Sequence, residues 1–227
     1  GWLILFARWH LLLKNSNISI PIKSSFLVYM SGFALSLIPG EVGDLVKVQI
    51  LKNRFNVSRS QTGGIIFSEW FYTAIGLVSL TLTGVVFFEL GGLIGIIFSI
   101  ILISLITIIK SKKIFLKFSK LISKIKYLSN FTKNIEESYD VIQESTKIKI
   151  AIISILLSIS FWVLETITVY FVMSRFGING IEIFEIISIY TTAIILGFIS
   201  FLPFGTGVVE ISLASFLNQK GVELSTG

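Results

Sequence analysis

Long apolar runs, separated by short polar segments, form the main pattern along this chain. A helix needs about 20 apolar residues to cross a bilayer core about 30 Å thick. By that measure, membrane-spanning helices are predicted at residues 63–88, 93–109, 150–176 and 183–202. The expected fold class is therefore an all-α integral membrane protein, a multi-pass helical bundle.

Two further apolar segments are shorter than a full span. Residues 2–13 have the pattern of the end of a span whose start is missing, so we expect residues 1–227 to form a single transmembrane domain that is part of a longer protein. Residues 25–38 run directly into Pro39 and Gly40. This second segment is compatible with a short span, a half-helix or a re-entrant segment.

The composition excludes most soluble classes of protein. Of the 227 residues, 53% are hydrophobic and 14% are charged, and the mean hydropathy is +0.88. Globular domains carry about 25% charged residues, so a soluble core of this size would leave much apolar surface in water. A soluble enzyme and a disordered tail are excluded, and the absence of cysteine excludes a disulfide-stapled secreted domain.

The placement of the basic residues predicts the topology. Ten of the 19 Lys and Arg residues lie within residues 110–149, and the positive-inside rule assigns such a segment to the cytoplasm. Residues 89–92 and 177–182 then form external turns. Four other basic residues agree with this assignment: Lys47, Lys52, Arg54 and Arg59. The expected location is the plasma membrane of a prokaryote, where the positive charge faces lipid headgroups and not nucleic acid.

The cytoplasmic loop, residues 110–149, contains two amphipathic patterns. The first is a basic helix for the headgroup layer, with an apolar stripe of Ile114, Phe118, Leu121, Ile125 and Leu128. The second is more acidic and places Ile135, Tyr139 and Ile142 on one face. The simplest interpretation of the loop is a solvated connector that fixes topology; the alternative is a regulatory lipid sensor.

The sequence offers little for metal or nucleophilic catalysis. It contains one histidine, His10, and no cysteine, so neither a cofactor nor a metal site is expected. His10 lies at a predicted membrane boundary, where a structural role is the simpler interpretation. A glycine-rich phosphate loop of the GxxxxGKS or GxxxxGKT type is also absent.

Two similar interruptions of the apolar pattern are the strongest functional signal. In each, Ser stands three residues before Pro and Gly four residues after it. The first contains Pro39, Gly40, Glu41, Gly43, Asp44 and Lys47, and the second contains Pro203, Gly205, Thr206, Gly207 and Glu210. Such breaks free backbone groups that must line protein or a wet cavity, and a matching pair is typical of a transporter's binding site. The two interrupted or re-entrant helices are thus predicted to form a pseudo-repeat around a central polar cavity.

Ionisable residues within apolar segments add to this signal. A charge at mid-membrane costs about 2.5–3.5 kcal/mol on insertion scales, which makes Glu69, Glu165 and Glu210 candidate site residues. We predict that Lys47 lies close to Glu210, while helix N-termini attract a lipid phosphate. The alternatives are that these acids bind helices together and that Glu41 merely offsets a helix dipole.

The chain resembles the lysylphosphatidylglycerol synthase transmembrane region, a flippase-like (UPF0104-type) family. The residues that carry the resemblance are Ala7-Arg8-Trp9, Pro39-Gly40-x-x-Gly43-Asp44-x-x-Lys47, Ser68-Glu69 and Pro203-x-Gly205-x-Gly207-x-x-Glu210. The resemblance implies lipid translocation by a multi-pass bundle with more helices than this chain contains, and so a transmembrane domain that is truncated at both ends here. The usual family motif has Arg where Glu41 and Lys47 stand and Glu where Asp44 stands, and the soluble aminoacyl-transferase domain is absent.

The expected function is binding and translocation of a phosphate-bearing lipid, either an anionic phospholipid or an isoprenoid-phosphate carrier. Lys47 and the helix N-termini would hold the phosphate, and the three glutamates would bind the rest of the headgroup or a proton. One alternative is a membrane-embedded transferase that acts on a lipid-linked sugar or aminoacyl group, with Glu69 or Glu210 as base. Another is a structural subunit whose basic loop docks a cytoplasmic partner.

Overall fold

The computed structural model describes residues 1–35, 42–122, 135–178, 180–200, 202 and 205–222. All regular secondary structure in these residues is helical, which confirms the predicted fold class. The helices are α1 (Trp2–Asn15), α2 (Ile22–Leu35), α3 (Val42–Phe55), α4 (Arg59–Thr81), α5 (Gly84–Phe87), α6 (Glu89–Lys110), α7 (Lys112–Ile122), α8 (Ile135–Ser145), α9 (Ile148–Arg175), α10 (Ile183–Ile199) and α11 (Val208–Gln219).

Three helical segments of the described chain are long and apolar enough to cross a membrane. They are Arg59–Phe87, formed by α4 and α5, and the helices α6 and α9. These segments confirm three of the four predicted long helices. The fourth, α10, is apolar but ends at Ile199 with 17 residues, because the second interruption begins there and not after residue 202.

The predicted external turn at residues 89–92 is wrong. Glu89 is the first residue of α6, and only Phe88 separates α6 from α5. The glycines of this segment serve close packing instead of a turn. A Cβ atom added to Gly92 would lie 2.8 Å from the Val85 backbone, and one added to Gly91 would lie 2.6 Å from the Ser188 hydroxyl. Bare backbone is therefore required where these helices meet.

Both predicted interruptions separate helices, α2 from α3 and α10 from α11, and each pair packs together. Pro39, Gly40, Glu41 and Pro203 lie outside the described residues. In the second interruption Gly205 and Gly207 have φ angles of +66° and +85°, a region that L side chains rarely adopt. A Cβ atom on Gly205 would lie 2.5 Å from Cα of Gly197, so the chain passes directly against α10.

The chain divides into two compact units, with one interruption in each. The α3 unit comprises Leu5–Thr73 and Ile101–Ile155, and the α11 unit comprises Gly1–Ile4, Ala74–Ile100 and Leu156–Gly227. The division falls within four helices, α1, α4, α6 and α9, so each of the three long apolar helices contributes residues to both units.

The second half of residues 110–149 forms α8, which is partly buried, so the interpretation as a solvated connector is wrong for this helix. Tyr139 and Ile142 are buried, as their spacing predicted. Tyr72 of α4 donates a hydrogen bond from its hydroxyl to the Ser145 carbonyl at 2.7 Å, and the Ser68 and Ser145 hydroxyls are 2.9 Å apart. Helix α8 is therefore packed against α4, close in sequence to Glu69. The predicted basic helix forms as α7 up to Ile122; Ile125 and Leu128 lie outside the described residues.

Candidate functional site

A buried lysine between two carboxylates forms the centre of the candidate site in the α3 unit. Lys47 Nζ lies 2.8 Å from Asp44 Oδ1 and 2.9 Å from Glu69 Oε2. Lys47 and Glu69 are only 6% and 5% exposed. Three residues that the sequence indicated as candidates, from two separate motifs, thus meet in one ion-pair network.

Local helix geometry explains how this network forms. Asp44 and Lys47 are three residues apart on α3, a spacing that places side chains on one helix face, and Glu69 projects from α4. The lysine stem crosses α2 at Gly32. A Cβ atom there would lie 2.7 Å from Lys47 Cγ and 3.1 Å from the Gly43 carbonyl oxygen. Only glycine at this position lets the stem pass between α2 and α3.

A second buried cation, Arg8 of α1, lies next to the network. Arg8 is 3% exposed and donates a hydrogen bond from Nη2 to Thr73 Oγ1 at 2.7 Å. Thr73 in turn donates its hydroxyl to the Glu69 carbonyl oxygen at 2.9 Å, one turn earlier on α4. The guanidinium is therefore held on the same stretch of α4 that supplies Glu69.

Aromatic rings line one side of the lysine ammonium. Lys47 Nζ lies 4.6 Å from the ring centroid of Trp9 and 5.6 Å from that of Tyr29, distances at which a cation is attracted to a ring face. Trp9 is completely buried, and its indole Nε1 has no hydrogen-bond partner within the described part of the chain. The N–H group of the Trp9 indole is thus a buried donor on the ring that contacts the Lys47 ammonium.

The electrostatics keep Lys47 charged. Burial alone would lower its pKa, but the carboxylates of Glu69 and Asp44 outweigh that effect, so the pKa is raised above the usual value. Trp70 Nε1 also donates to Asp44 Oδ2 at 3.0 Å. Among the described side chains, the network and its neighbour Arg8 balance two positive charges against two negative ones.

An apolar groove lies beside the charged network. It has a volume of about 440 Å³ and is lined by Phe6, Ile22, Lys23, Phe26 and Leu27. Its aromatic wall continues to the lysine, since the ring centroid of Phe6 lies 6.0 Å from that of Tyr29. Two aromatic rings, those of Phe6 and Tyr29, therefore connect the apolar groove to the buried lysine.

The predicted site residues of the second interruption, together with Glu165, lie in the α11 unit, whereas Gly43 lies on α3. Glu165 lies on α9 near Tyr190. Glu210 is exposed and accepts a hydrogen bond from the Gly207 amide at 2.6 Å, so it caps the N-terminus of α11. Gly205 is buried and Thr206 is exposed. The predicted proximity of Lys47 and Glu210 joins the two units and stays a prediction; the partners that the structure assigns to Lys47 are Asp44 and Glu69.

Four contributors to the network were not predicted from chemistry: Arg8, Trp9, Tyr29 and Thr73. Arg8 carried a usable signal, since an arginine within an apolar helix indicates function by default, but it entered only through the family resemblance. Tyr29 and Thr73 carried no such signal in the sequence, because their roles depend on which helices pack together. Within the described residues, no group of three or more His, Cys, Asp or Glu side chains is arranged to hold a metal ion.

Comparison with known proteins finds similarity to membrane proteins of one type. A family model described as the lysylphosphatidylglycerol synthase TM region matches residues 1–227. A UPF0104 membrane protein of Methanocaldococcus jannaschii is 29% identical over 207 residues, which cover 85% of this chain and 82% of that protein. No solved structure matches the chain.

Proposed function

The chain belongs to the lysylphosphatidylglycerol synthase TM region family, and from this premise we propose that it binds a phosphate-bearing membrane lipid and moves the headgroup across the bilayer. The observation that carries the proposal is the buried Lys47, with Arg8 on the same stretch of α4 and an apolar groove connected to the lysine through Phe6 and Tyr29. Ionisable groups inside a membrane protein are costly and typically mark a substrate or ion pathway.

The chemistry of the network suits a phosphate. Arg8 supplies a planar guanidinium that can bind two phosphate oxygens, and Lys47 supplies a point charge. The buried Nε1–H of Trp9 provides a neutral donor. Donors already held in place lose little entropy when a ligand arrives, so the site is preorganised for an anion.

The groove suits the apolar part of the same ligand. Its lining by Phe6, Ile22, Phe26 and Leu27 offers a surface for an acyl or isoprenoid chain. Lys23 lies at the same groove and adds a positive charge for an anionic headgroup. An anionic phospholipid and an isoprenoid-phosphate carrier share this combination of a phosphate and an apolar chain.

We also propose a membrane and an orientation for the chain. Three long apolar helices place the chain in a membrane, and we propose the plasma membrane of a prokaryote with residues 110–149 in the cytoplasm. The basic residues of that loop would then face the anionic leaflet.

Native mass spectrometry of the chain, released from gently purified micelles, tests lipid binding. We expect a phosphate lipid to remain bound to the unmodified chain and to be lost from the Lys47→Gln/Glu69→Gln double variant. The double variant removes the lysine together with its more buried carboxylate, and the remaining carboxylate, Asp44, keeps the hydrogen bond from Trp70. Lys52→Gln, on the exposed side of the same helix α3, is the control and should keep the lipid. Equal retention in all three proteins would contradict the assignment of the site.

Reconstitution into liposomes tests translocation. Fluorescent phosphatidylglycerol in the inner leaflet should become accessible to an external quencher in liposomes that contain the chain, and much more slowly with the double variant. A membrane-embedded transferase would instead release product in detergent micelles, where no two-sided bilayer exists. Product formation in micelles without lipid movement in liposomes would replace translocation with group transfer.

A further inference from the structure

We infer that helix α7 binds the anionic lipid surface of the cytoplasmic leaflet, and that this contact holds α8 in its docked position on α4. The inference goes beyond the proposed transport, because the lipids concerned lie in the leaflet around α7 and not at Lys47. The packing of α8 along the stretch of α4 that contains Glu69 then depends on the lipid composition of the membrane.

Helix α7 begins where a membrane-crossing helix ends. The apolar helix α6 has 22 residues and ends at Lys110, and one residue, Ser111, separates it from the start of α7 at Lys112. A helix of that length spans the hydrocarbon core, so the chain reaches the headgroup layer where α7 starts. This short connection holds α7 at the membrane surface.

One face of α7 combines exposed lysines with an exposed apolar side chain. Lys113 and Lys117 are exposed, and Ile114 between them is 44% exposed. Each residue of an α-helix advances by about 100° around the axis, so these three side chains fall within about 100° of the circumference. Lysines that flank an apolar side chain are typical of a helix in the headgroup layer, where the ammonium groups reach lipid phosphates.

A different face of α7 packs against α8. The ring centroids of Phe115 and Tyr139 are 4.8 Å apart, and Lys112 Nζ lies 5.9 Å from the centroid of the Tyr139 ring. Phe115 lies about 100° further around the helix than Ile114. Helix α7 can therefore contact the lipid surface and α8 at the same time.

The carboxylates of α8 do not neutralise the exposed face of α7. Among the described side chains, Lys113 and Lys117 form no ion pair. Three carboxylates of α8 instead line a polar pocket together with the loop between α1 and α2: Glu137, Asp140 and Glu144. The charge of the two lysines is thus available to an anionic surface, which attracts each nearby lysine.

Helix α8 connects this surface to α4. Ser138 donates its hydroxyl to the Ser60 carbonyl oxygen at 2.8 Å, and Tyr72 donates to the Ser145 carbonyl at 2.7 Å. Gly64 lets the two helices approach closely, since a Cβ atom there would lie 2.8 Å from the Ser138 carbonyl oxygen. Helix α8 therefore follows α4 along residues 60–72, the stretch that contains Glu69.

The two contacts of α7 support each other. When α7 is held on the lipid surface, Phe115 and Lys112 stay close to Tyr139, which raises the effective concentration of the partner that α8 needs. By thermodynamic linkage, docked α8 strengthens the attachment of α7 to the lipid by the same factor. Anionic lipid therefore favours the docked position of α8.

Hydrogen–deuterium exchange of the full chain in nanodiscs tests the coupling. The discs contain either phosphatidylcholine alone or an equal mixture of phosphatidylcholine and phosphatidylglycerol. We expect α8 amides to exchange at least about fivefold more slowly in the anionic discs, the factor that the attraction of one lysine to an anionic surface supplies. Equal exchange of α8 in the two kinds of disc would overturn the coupling.

Quenching by lipid tests the surface contact itself. Because the chain has no cysteine, a fluorophore on Ile114→Cys reports on this position alone. Doxyl-labelled phosphatidylcholine should quench that fluorophore more strongly in anionic discs than in phosphatidylcholine discs. A fluorophore on Asp140→Cys, an exposed position on the acidic side of α8, is the control and should show no such increase. Equal quenching at position 114 in the two discs would overturn the assignment to anionic lipid and favour a soluble partner for α7.

Paired substitutions test whether α7 is the sensor. Lys113→Gln/Lys117→Gln should lose most of the difference in α8 exchange between the two discs. Lys52→Gln/Arg54→Gln, at two exposed positions of α3, removes the same net charge and should keep that difference. A difference that persists in the α7 variant would overturn the inference.

A further variant separates this inference from the proposed function. Lys47→Gln/Glu69→Gln should keep the difference in α8 exchange, because the lipid that acts on α8 binds at α7. Loss of the difference in this variant would overturn the inference and assign the effect to the Lys47 network. Failure of the Lys47 network to retain a lipid in mass spectrometry would contradict the proposed function and leave the response of α7 standing.

Discussion

At the scale of single residues, the Lys47 network shows how buried charges depend on one another. Each carboxylate stabilises the lysine, and the lysine prevents two negative charges from lying unpaired at short distance. Breaking a buried ion pair by removing one partner costs about 3–5 kcal/mol, whereas replacing the whole pair is often close to neutral. We therefore expect the free energy of unfolding to fall strongly when one member of an ion pair is removed, and to fall less when both members are replaced together.

Unfolding experiments on Lys47 and Glu69 can measure this dependence. We expect Lys47→Met to lower the free energy of unfolding in mixed micelles by about 3–5 kcal/mol. Addition of Glu69→Gln to that variant should recover part of the loss, since one of the two orphaned carboxylates disappears. Lys52→Met, an exposed substitution on the same helix, is the control. Additive losses in the double variant would show that the two side chains do not interact.

Gly32 offers a second test at this scale. An added methyl group would lie 2.7 Å from Lys47 Cγ, and overpacking of this kind costs about 1–3 kcal/mol. We therefore expect Gly32→Ala to lower the midpoint of thermal unfolding. Gly63→Ala is the matched control, because a Cβ atom on Gly63 meets nothing within 4 Å. Equal midpoints for the two variants would contradict the close approach of α2 to the lysine stem.

The sequence predicted the chemistry of these residues better than their partners. Asp44, Lys47 and Glu69 were recognisable because charged side chains stand out in apolar segments. The ion pairing of Lys47 with Glu69 was not foreseen, and Glu210 was named as its partner instead. Residue type indicates which side chains need a partner, whereas helix packing determines which partner each one finds.

At the scale of helices, α8 shows the limit of an amphipathic pattern. The spacing of Tyr139 and Ile142 correctly predicted one apolar face. Tyr139 of that face packs on Phe115 of α7, with 4.8 Å between the ring centroids, and the same helix contacts α4 through Ser145 and Tyr72. A pattern within an eleven-residue helix carries no signal for the α4 partner, which lies more than sixty positions earlier in the chain. The interruptions were easier to predict, since Pro and Gly impose the same backbone constraint in any context. The same reasoning wrongly predicted a turn at Gly91 and Gly92. Both glycines lie in α6, where they allow neighbouring helices to pack closely.

Removal of the Tyr72 hydroxyl tests the docking of α8. Tyr72 donates to the Ser145 carbonyl at 2.7 Å, and a typical internal hydrogen bond contributes about 0.5–1.5 kcal/mol. We expect Tyr72→Phe to lower the free energy of unfolding by that amount and to speed hydrogen exchange of α8 amides. Tyr170→Phe, at an exposed tyrosine of α9, should change neither quantity. Unchanged exchange in α8 with Tyr72→Phe would contradict the contact.

At the scale of the whole molecule, the predicted topology can be tested directly because the chain has no cysteine. Single cysteines at two exposed positions, Lys113→Cys and Glu182→Cys, report on the two sides of the membrane. With an impermeant maleimide, we expect labelling of Glu182→Cys in intact cells and of Lys113→Cys only after permeabilisation. The cysteine-free chain is the control, and the reverse pattern of labelling would contradict the positive-inside assignment.

The long helices and the membrane class of the molecule were predictable from sequence, since both follow from the length of apolar runs. The family was recognisable from short motifs in the right order, and the match over residues 1–227 confirms it. The division into two units was not predictable. It falls within α1, α4, α6 and α9, where the hydrophobic pattern continues without a change.

The pairing of α3 with α4 has a consequence for synthesis of the protein at the ribosome. Helix α2 has 14 residues, fewer than the roughly 20 that a membrane insertion machinery recognises as a complete span. Helix α3 brings the buried Lys47, whose partner on α4, Glu69, follows it by 22 residues. At roughly 5–20 residues per second, that partner is made on the order of seconds later. The ion pair between Lys47 and Glu69 therefore forms only after α4 has left the ribosome, and until then the ammonium depends on Asp44 of its own helix.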